Sequence, residues 1–186
     1  MQLIRRYESP LGGILLAADE IGLTGLWFAE ENGFADRLGK EYSERDTAAF
    51  TDAVRWLDIY FSGREPDFTP PLHAVGSSFR QAVWQLLLQI PYGNTVTYGQ
   101  LAQTLAKQRG ILRMSAQAVG GAVGHNPISV IIPCHRVIGA DGSLTGYAGG
   151  VEQKRRLLEL ERVDPHSFFV PKSYGDADSD KRGCSH

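Results

Sequence analysis

The sequence predicts an α+β protein in two parts: a small antiparallel sheet with a helix, then a mostly helical half. Three observations carry this. Two apolar runs, 13–18 and 23–28, bracket a short polar turn, the pattern of a β-hairpin. Three later segments place apolar residues at helical spacing. Between these patterns, Glu65-Pro66-Asp67-Phe68-Thr69-Pro70-Pro71 interrupts both and reads as a linker. With 186 residues and 42% hydrophobic composition, the chain can bury one large core or two small ones and is too apolar to stay disordered.

In the first part, residues 1–76, the hairpin strands are Gly13–Ala18 and Leu23–Phe28, turned at Asp19, Glu20 and Gly22. Phe50, Val54, Leu57 and Phe61 then fall on one helical face behind Thr47 or Asp46 as N-cap. The second part, residues 77–165, opens with Phe79, Val83, Leu86 and Ile90 behind Ser77 or Ser78. Pro91-Tyr92-Gly93-Asn94 forces a turn. Thr97 caps a helix whose apolar face is Tyr98, Leu101, Ala102 and Leu105. A basic loop with Lys107, Arg109 and Arg113 leads to Ser115, the cap of a helix from Ala116 to Val123. Helix, loop, helix is the outline of a helix-turn-helix, here with a long loop. Ile128-Ser129-Val130-Ile131-Ile132 reads as a buried strand ending at Pro133, and a last helix covers 151–161. From Asp164 the chain is polar, and the tail 166–186 is expected to be disordered.

Composition narrows the function classes. The two cysteines, Cys134 and Cys184, cannot build a disulfide scaffold or a cysteine-rich zinc site. The N-terminus has no apolar signal segment, and no apolar run approaches the roughly 18 residues of a membrane span. A soluble, cytoplasmic protein without a membrane partner is therefore expected. The net charge of −2 speaks against nucleic acid until it is divided along the chain. Residues 1–76 carry 7 basic and 13 acidic side chains, residues 77–165 carry 9 and 5, and residues 166–186 carry 3 of each. The excess of positive charge falls on the helix-turn-helix segment.

Two features of the second part stand out. The stretch from Ser115 to Val123 has one long polar side chain, Gln117, among small ones. A helix that reads bases presents several such side chains, so this one reads little sequence. It either packs tightly on a neighbouring element or brings its backbone close to a groove. The second feature is Pro133-Cys134-His135-Arg136. A rigid proline precedes the thiol, and adjacent positive charge favours a thiolate. A lone Cys-His pair equally fits a small buried hydrophobe. Cys184, beside Ser185 and His186 in the polar tail, reads as an incidental exposed thiol.

The stretch IPCHRVIGADGSLTGYAGG resembles the O6-alkylguanine-DNA alkyltransferases, with Asn126-Pro127 before it and Leu157-Leu158-Glu159-Leu160-Glu161 after it. TVTYGQLA and AVGG extend the resemblance over most of residues 77–162, while residues 1–76 match the family's variable N-terminal domain only loosely. The resemblance implies a ribonuclease H-like N-terminal fold and a winged-helix-like C-terminal domain. It implies Cys134 as the nucleophile that takes the alkyl group from O6 of guanine. His135 is implied to accept the thiol proton through a water, Glu161 to orient and stabilise the imidazole, and Asn126 to fix the site. Tyr98 is implied as proton donor to the departing guanine. Tyr147, Ala148, Gly149 and Val137 are implied as the pocket wall.

The DNA contacts implied are Ser115, Ala116, Gln117, Ala118 and Gly120 toward the minor groove, Lys107, Arg109 and Arg113 at phosphates, and Arg136 as a further DNA-binding residue. The partner implied is double-stranded DNA containing O6-alkylguanine, with O4-alkylthymine as a further substrate. The target base must be flipped out of the stack to reach a side chain. One turnover per molecule, a monomer and no cofactor are implied as well. No metal is expected, because residues 1–76 hold no cysteine and one histidine, His73, too few ligands for the zinc that some members carry there. The family's arginine before AVGG is Gln117 here, and the connection QLAQTLAKQRGILRMSA is longer than in shorter members. Three other readings stay open at this point: an unreactive binder of alkylated bases, a Cys–His hydrolase and a plain helix-turn-helix regulator.

Overall fold

The hairpin reading of residues 13–28 extends to a sheet in the computed structural model, which describes residues 2–29 and 42–172. Strands β1 (Gln2–Ser9), β2 (Gly12–Ala18), β3 (Leu23–Phe28) and β4 (Tyr42–Glu44) form one sheet in the order β3-β2-β1-β4. β1 runs antiparallel to β2 from Leu3 opposite Ala18 to Ser9 opposite Gly12. β4 lies parallel to β1, so the sheet is mixed and not purely antiparallel. The alternation of β1 is blurred by Arg5 and Arg6, which left it unmarked in the sequence.

Helix α1 (Ala48–Phe61) starts at Thr47, whose side chain accepts from the Phe50 amide. It buries Ala49, Phe50, Ala53, Trp56, Leu57 and Tyr60, so the deep face is turned toward Trp56 and Tyr60 and away from Val54 and Phe61. Helix α2 (Ser78–Leu88) is capped by Ser77 and buries Val83, Trp84, Leu86 and Leu87. β5 (Val96–Thr97) leads into α3 (Tyr98–Arg109), which opens with a capping box between Thr97 and Gln100. Ser115 caps α4 (Ala116–Gly124). The Trp84 indole N–H donates to the Ala122 carbonyl at 2.9 Å and ties α2 to α4. A 3-10 turn at Cys134–Arg136, β6 (Val137–Ile138) and α5 (Val151–Leu160) complete the described elements.

The two parts share one core. Ile14, Leu16 and Phe28 of the sheet, Trp56 and Tyr60 of α1, Trp84 of α2 and Val119 of α4 belong to the same cluster. The segment after the Pro-rich run is pinned to the sheet: Leu23 donates to the Pro71 carbonyl and His73 donates to the Leu23 carbonyl. The linker is therefore a fixed edge of the fold.

Two expectations need correction. Residues 128–132 are not a strand. Ile128 makes a single bridge to Leu26, after which Ile131 bonds back to Ser129 and Ile132 to Ile128. Val130 sits at φ 70°, a costly conformation for a β-branched residue. A short buried apolar run has no period that separates strand from coil, and here Asn126 and Leu26 decide. The sheet element lies after Cys134, where β6 pairs in parallel with β5. The chain beyond Asp164 also orders further than its polarity suggests. Phe168 is buried with Ile138, Leu144 and Leu158, and Phe169 exchanges backbone bonds with Gly142 and Leu144. Cys184 and the rest of the tail lie outside the described residues. Among the described residues no helix is long and apolar enough to cross a membrane, and no group of three metal-ligating side chains occurs.

Candidate active site

The Cys134 turn is held from behind by Asn126. Its Nδ2 donates to the Ile132 carbonyl at 2.8 Å, and its Oδ1 accepts from the Ile128 amide at 3.0 Å. The same Ile132 carbonyl accepts from the Cys134 amide at 2.8 Å. Asn126 is 4% exposed, so both bonds are made where water does not compete. Cys134 itself is buried, 9% exposed, and packs with the main core.

His135 is fully buried, and its Nε2 lies 2.7 Å from Glu161 Oε1. A carboxylate can only accept, so Nε2 carries the proton and Nδ1 is left with its lone pair. Nδ1 is buried without a hydrogen-bond partner among the described residues. Glu161, 2% exposed, gathers a ring of donors. Tyr60 Oη donates to Oε1 at 2.8 Å. Arg136 Nε donates to Oε2 and Nη2 to Oε1, both at 2.9 Å, and the Gly93 amide reaches Oε2 at 3.2 Å. Gly93 has φ 78°, so the turn that aims this amide needs a glycine.

The electrostatics follow from this ring. Burial alone would raise the Glu161 carboxyl, but the His135 and Arg136 donors outweigh it and hold the group well below the usual carboxylate range. Burial pushes His135 below its ordinary value, against the opposing pull of Glu161. The result is a neutral imidazole in one tautomer, backed by an ionised carboxylate. Such a pair can take a proton at Nδ1 and stabilise the imidazolium that forms.

Tyr98 stands between α4 and the loop 144–150. A Cβ on Gly120 would lie 3.6 Å from its ring, and one on Gly146 would lie 3.7 Å from its hydroxyl. Its hydroxyl donates to the Thr145 carbonyl at 3.3 Å, and Lys154 Nζ donates to the same oxygen at 2.9 Å. Lys154 is 1% exposed. Burial pushes its pKa down to about 8, with the Cys134 sulfur pulling the other way. Tyr147 is buried, Ala148 exposed, and Gly149 packs so close to Phe28 of β3 that a Cβ would approach its ring to 2.8 Å. Val137 lies in β6 opposite Val96, wholly buried.

On α4, Ser115, Ala116, Gln117 and Ala118 are exposed, and so are Lys107, Arg109 and Arg113 before it, while Gly120 is half-buried against Tyr98. Arg136 is not a surface cation, contrary to the expectation of a DNA contact. It is 8% exposed, and its guanidinium is committed to Glu161 and the Ile90 carbonyl. A residue one position beyond His135 on a tight turn is directed inward by the same carboxylate. The structure thus brings Cys134, His135, Glu161, Asn126 and Tyr98 into one region and removes Arg136 from the DNA-facing set.

Tyr60, Gly93 and Lys154 join the site without having been singled out in the sequence. Tyr60 is 101 residues from Glu161 and sits on an ordinary amphipathic helix. Lys154 stands in a charged run, VEQKRR, that reads as solvated surface. Gly93 belonged to a turn whose residues signalled only the turn.

The chain is similar to known proteins over most of its length. A family model described as "6-O-methylguanine DNA methyltransferase, DNA binding domain" matches residues 78–163. One described as "6-O-methylguanine DNA methyltransferase, ribonuclease-like domain" matches residues 3–74. The methylated-DNA–protein-cysteine methyltransferase of Mycobacterium tuberculosis is 44% identical over 158 residues, 85% of this chain and 91% of that protein. The protein of the same name from Methanosarcina barkeri is 44% identical over 154 residues, 83% of this chain and 93% of its own. Among solved structures, Mycobacterium tuberculosis OGT in complex with DNA superposes with a TM-score of 0.74 at 44% identity, covering 88% of this chain and 96% of that one. An O6-methylguanine DNA methyltransferase from Methanococcus jannaschii gives a TM-score of 0.60 at 29% identity, covering 87% and 93%.

Proposed function

The chain belongs to the 6-O-methylguanine DNA methyltransferase family, and from that premise we propose how its own residues carry out the repair. It is a methylated-DNA–protein-cysteine methyltransferase with an α+β fold, acting in DNA repair. The single observation that carries the mechanism is the buried contact of His135 Nε2 with Glu161 at 2.7 Å, one residue after Cys134.

In the reaction, the Cys134 thiol proton passes to His135 Nδ1 through a water, and Glu161 stabilises the imidazolium. The thiolate attacks the alkyl carbon on O6 of guanine. A C–S bond forms, the C–O bond breaks, and its electron pair leaves with the guanine. Tyr98 donates a proton to that departing base, and the Lys154 ammonium, close to the sulfur and to the Tyr98 ring, favours the anionic groups on both sides of the transfer. A thioether is a poor leaving group, so each molecule acts once.

The base reaches Cys134 by flipping. The exposed face of α4 enters the minor groove, where its small residues allow close approach without reading sequence. Tyr147, Ala148 and Gly149 line the pocket that receives the base. O6-alkylguanine is the substrate class, with O4-alkylthymine as a second member.

The test is mass spectrometry after mixing the protein with duplex DNA containing O6-methylguanine. One CH2 should be gained, on the peptide that holds Cys134, and one equivalent of lesion should be consumed. A Cys134→Ala variant that still removes the lesion, or repeated turnover by the wild type, overturns the proposal.

A further inference from the structure

Leu112 is the most exposed large apolar side chain among the described residues, with its whole surface open to solvent, and its neighbour Ile111 is 46% exposed. Folding does not account for this, since shielding such a side chain from water is worth roughly 1.5–3 kcal/mol. The connection that carries it is well defined. At its start, Gly110 adopts the left-handed conformation and the Ile111 amide bonds back to the Ala106 carbonyl at 3.0 Å, closing α3. At its end, Ser115 caps α4. Met114 packs against the main core and anchors the loop from inside. Leu112 is therefore held out at the apex of a short loop fixed at both ends.

The charge around it selects a partner. From residue 68 to residue 140 the chain has no aspartate or glutamate, while Arg80, Lys107, Arg109, Arg113 and Arg136 fall within that stretch. Arg136 is internal, but Lys107, Arg109 and Arg113 are exposed around the loop, with Arg109 stacked on the Phe79 ring. An aliphatic tip on a stretch of chain that carries exposed cations and no acids suits a polyanion with an apolar interior. DNA opened along its minor groove has that character, and minor-groove proteins place such side chains between base steps.

We propose that the 110–114 loop is a second DNA-contacting element, in which Leu112 enters the minor groove beside α4 and wedges a base step next to the lesion. This rests on the repair reading above and adds to it. Gln117, in the first turn of α4, brings no charge to the groove, so unstacking is shared with an apolar residue on the preceding loop. Arg113 and Lys107 hold the flanking phosphates while Leu112 opens the stack.

The experiment compares wild type with Leu112→Ala in the full chain, on two substrates. One is duplex DNA containing O6-methylguanine with 2-aminopurine beside the lesion, and the other is free O6-benzylguanine, which needs no flipping. The expected result is a roughly tenfold loss in repair rate or duplex affinity, with a smaller 2-aminopurine fluorescence rise. Reaction with the free base stays at the wild-type rate, and the salt dependence of DNA binding is unchanged, because no phosphate contact is lost. Arg113→Gln should do the opposite and lower the salt slope by about one contact. If wild type repairs the duplex and Leu112→Ala matches it in rate, affinity and fluorescence, the wedge is overturned and the repair reading stands. If Leu112→Ala instead changes only self-association, the loop is a protein contact and the wedge is likewise overturned. If wild type alkylates Cys134 from the free base but neither binds nor repairs duplex DNA, the repair reading fails and the wedge falls with it.

Discussion

Tyr60 donates its hydroxyl to Glu161 Oε1 at 2.8 Å, the same oxygen that receives His135 Nε2. A tyrosine of the sheet-and-helix half thereby contacts the buried carboxylate of the helical half. Removing the hydroxyl with Tyr60→Phe leaves a buried carboxylate short of one donor, a loss of about 1–3 kcal/mol. Alkyl transfer should slow severalfold, because Glu161 then shifts against His135. Chemical denaturation and single-turnover kinetics on lesion DNA check both. A variant with wild-type stability and rate would show that Arg136 and Gly93 suffice.

Acid should destabilise the protein in two stages. His135 is held neutral by burial, and its unfolded form takes up a proton near the ordinary value of 6.5. Glu161 is held ionised, and its unfolded form takes up a proton near 4.5. Both folded pKa values lie below the unfolded ones, so the unfolded state binds more protons as pH falls. The contribution is fully present above about pH 6.5 and is lost progressively below it, with a further loss below about 4.5. Urea midpoints measured from pH 8 down to pH 4 check this. A midpoint that stays level between pH 7 and pH 5 contradicts the His135 part.

Lys154 should trade stability for reactivity. No carboxylate pairs with it among the described residues, and its pKa falls from 10.5 to about 8 on burial. Keeping it charged near neutral pH thus costs up to about 3 kcal/mol. Lys154→Met should melt higher than wild type while transferring the alkyl group more slowly, since the charge beside Cys134 is gone. A less stable variant that reacts at the wild-type rate would reverse the assignment.

Gly149→Ala should disturb the pocket wall from the sheet side. The added Cβ would meet the Phe28 ring at 2.8 Å, and Phe28 is itself buried. Overpacking of this kind costs about 1–3 kcal/mol. The turn from Tyr147 to Gly150 would have to move, so the rate should fall for bulky O6 substituents more than for methyl. Parallel rates with methyl- and benzyl-modified duplexes measure the ratio.

The candidate site residues were legible through the resemblance of one continuous run and its flanks to a known family. Cys134, His135 and the pocket segment form one run, and Glu161 follows at the end of the next helix. The amphipathic faces of α2 and α3 and the caps Thr47, Ser77, Thr97 and Ser115 were legible for a local reason, since capping and helical period are set by neighbours within a few residues. The division of charge along the chain likewise pointed to the half that matches the family's DNA-binding domain.

What the chain's order of residues did not reveal depends on contacts between distant segments. Nothing near Tyr60 announces a carboxylate 101 residues away. Arg136 reads as a surface cation until Glu161 and the Ile90 carbonyl draw it inside. The run at 128–132 has strand composition, but the bridge to Leu26 and the grip of Asn126 on Ile132 coil it instead. Local preferences amount to a few tenths of a kcal/mol per residue and are readable from sequence. A buried ion must be matched by partners wherever the fold brings them, and that larger demand settles which tyrosine and which arginine stand around Glu161.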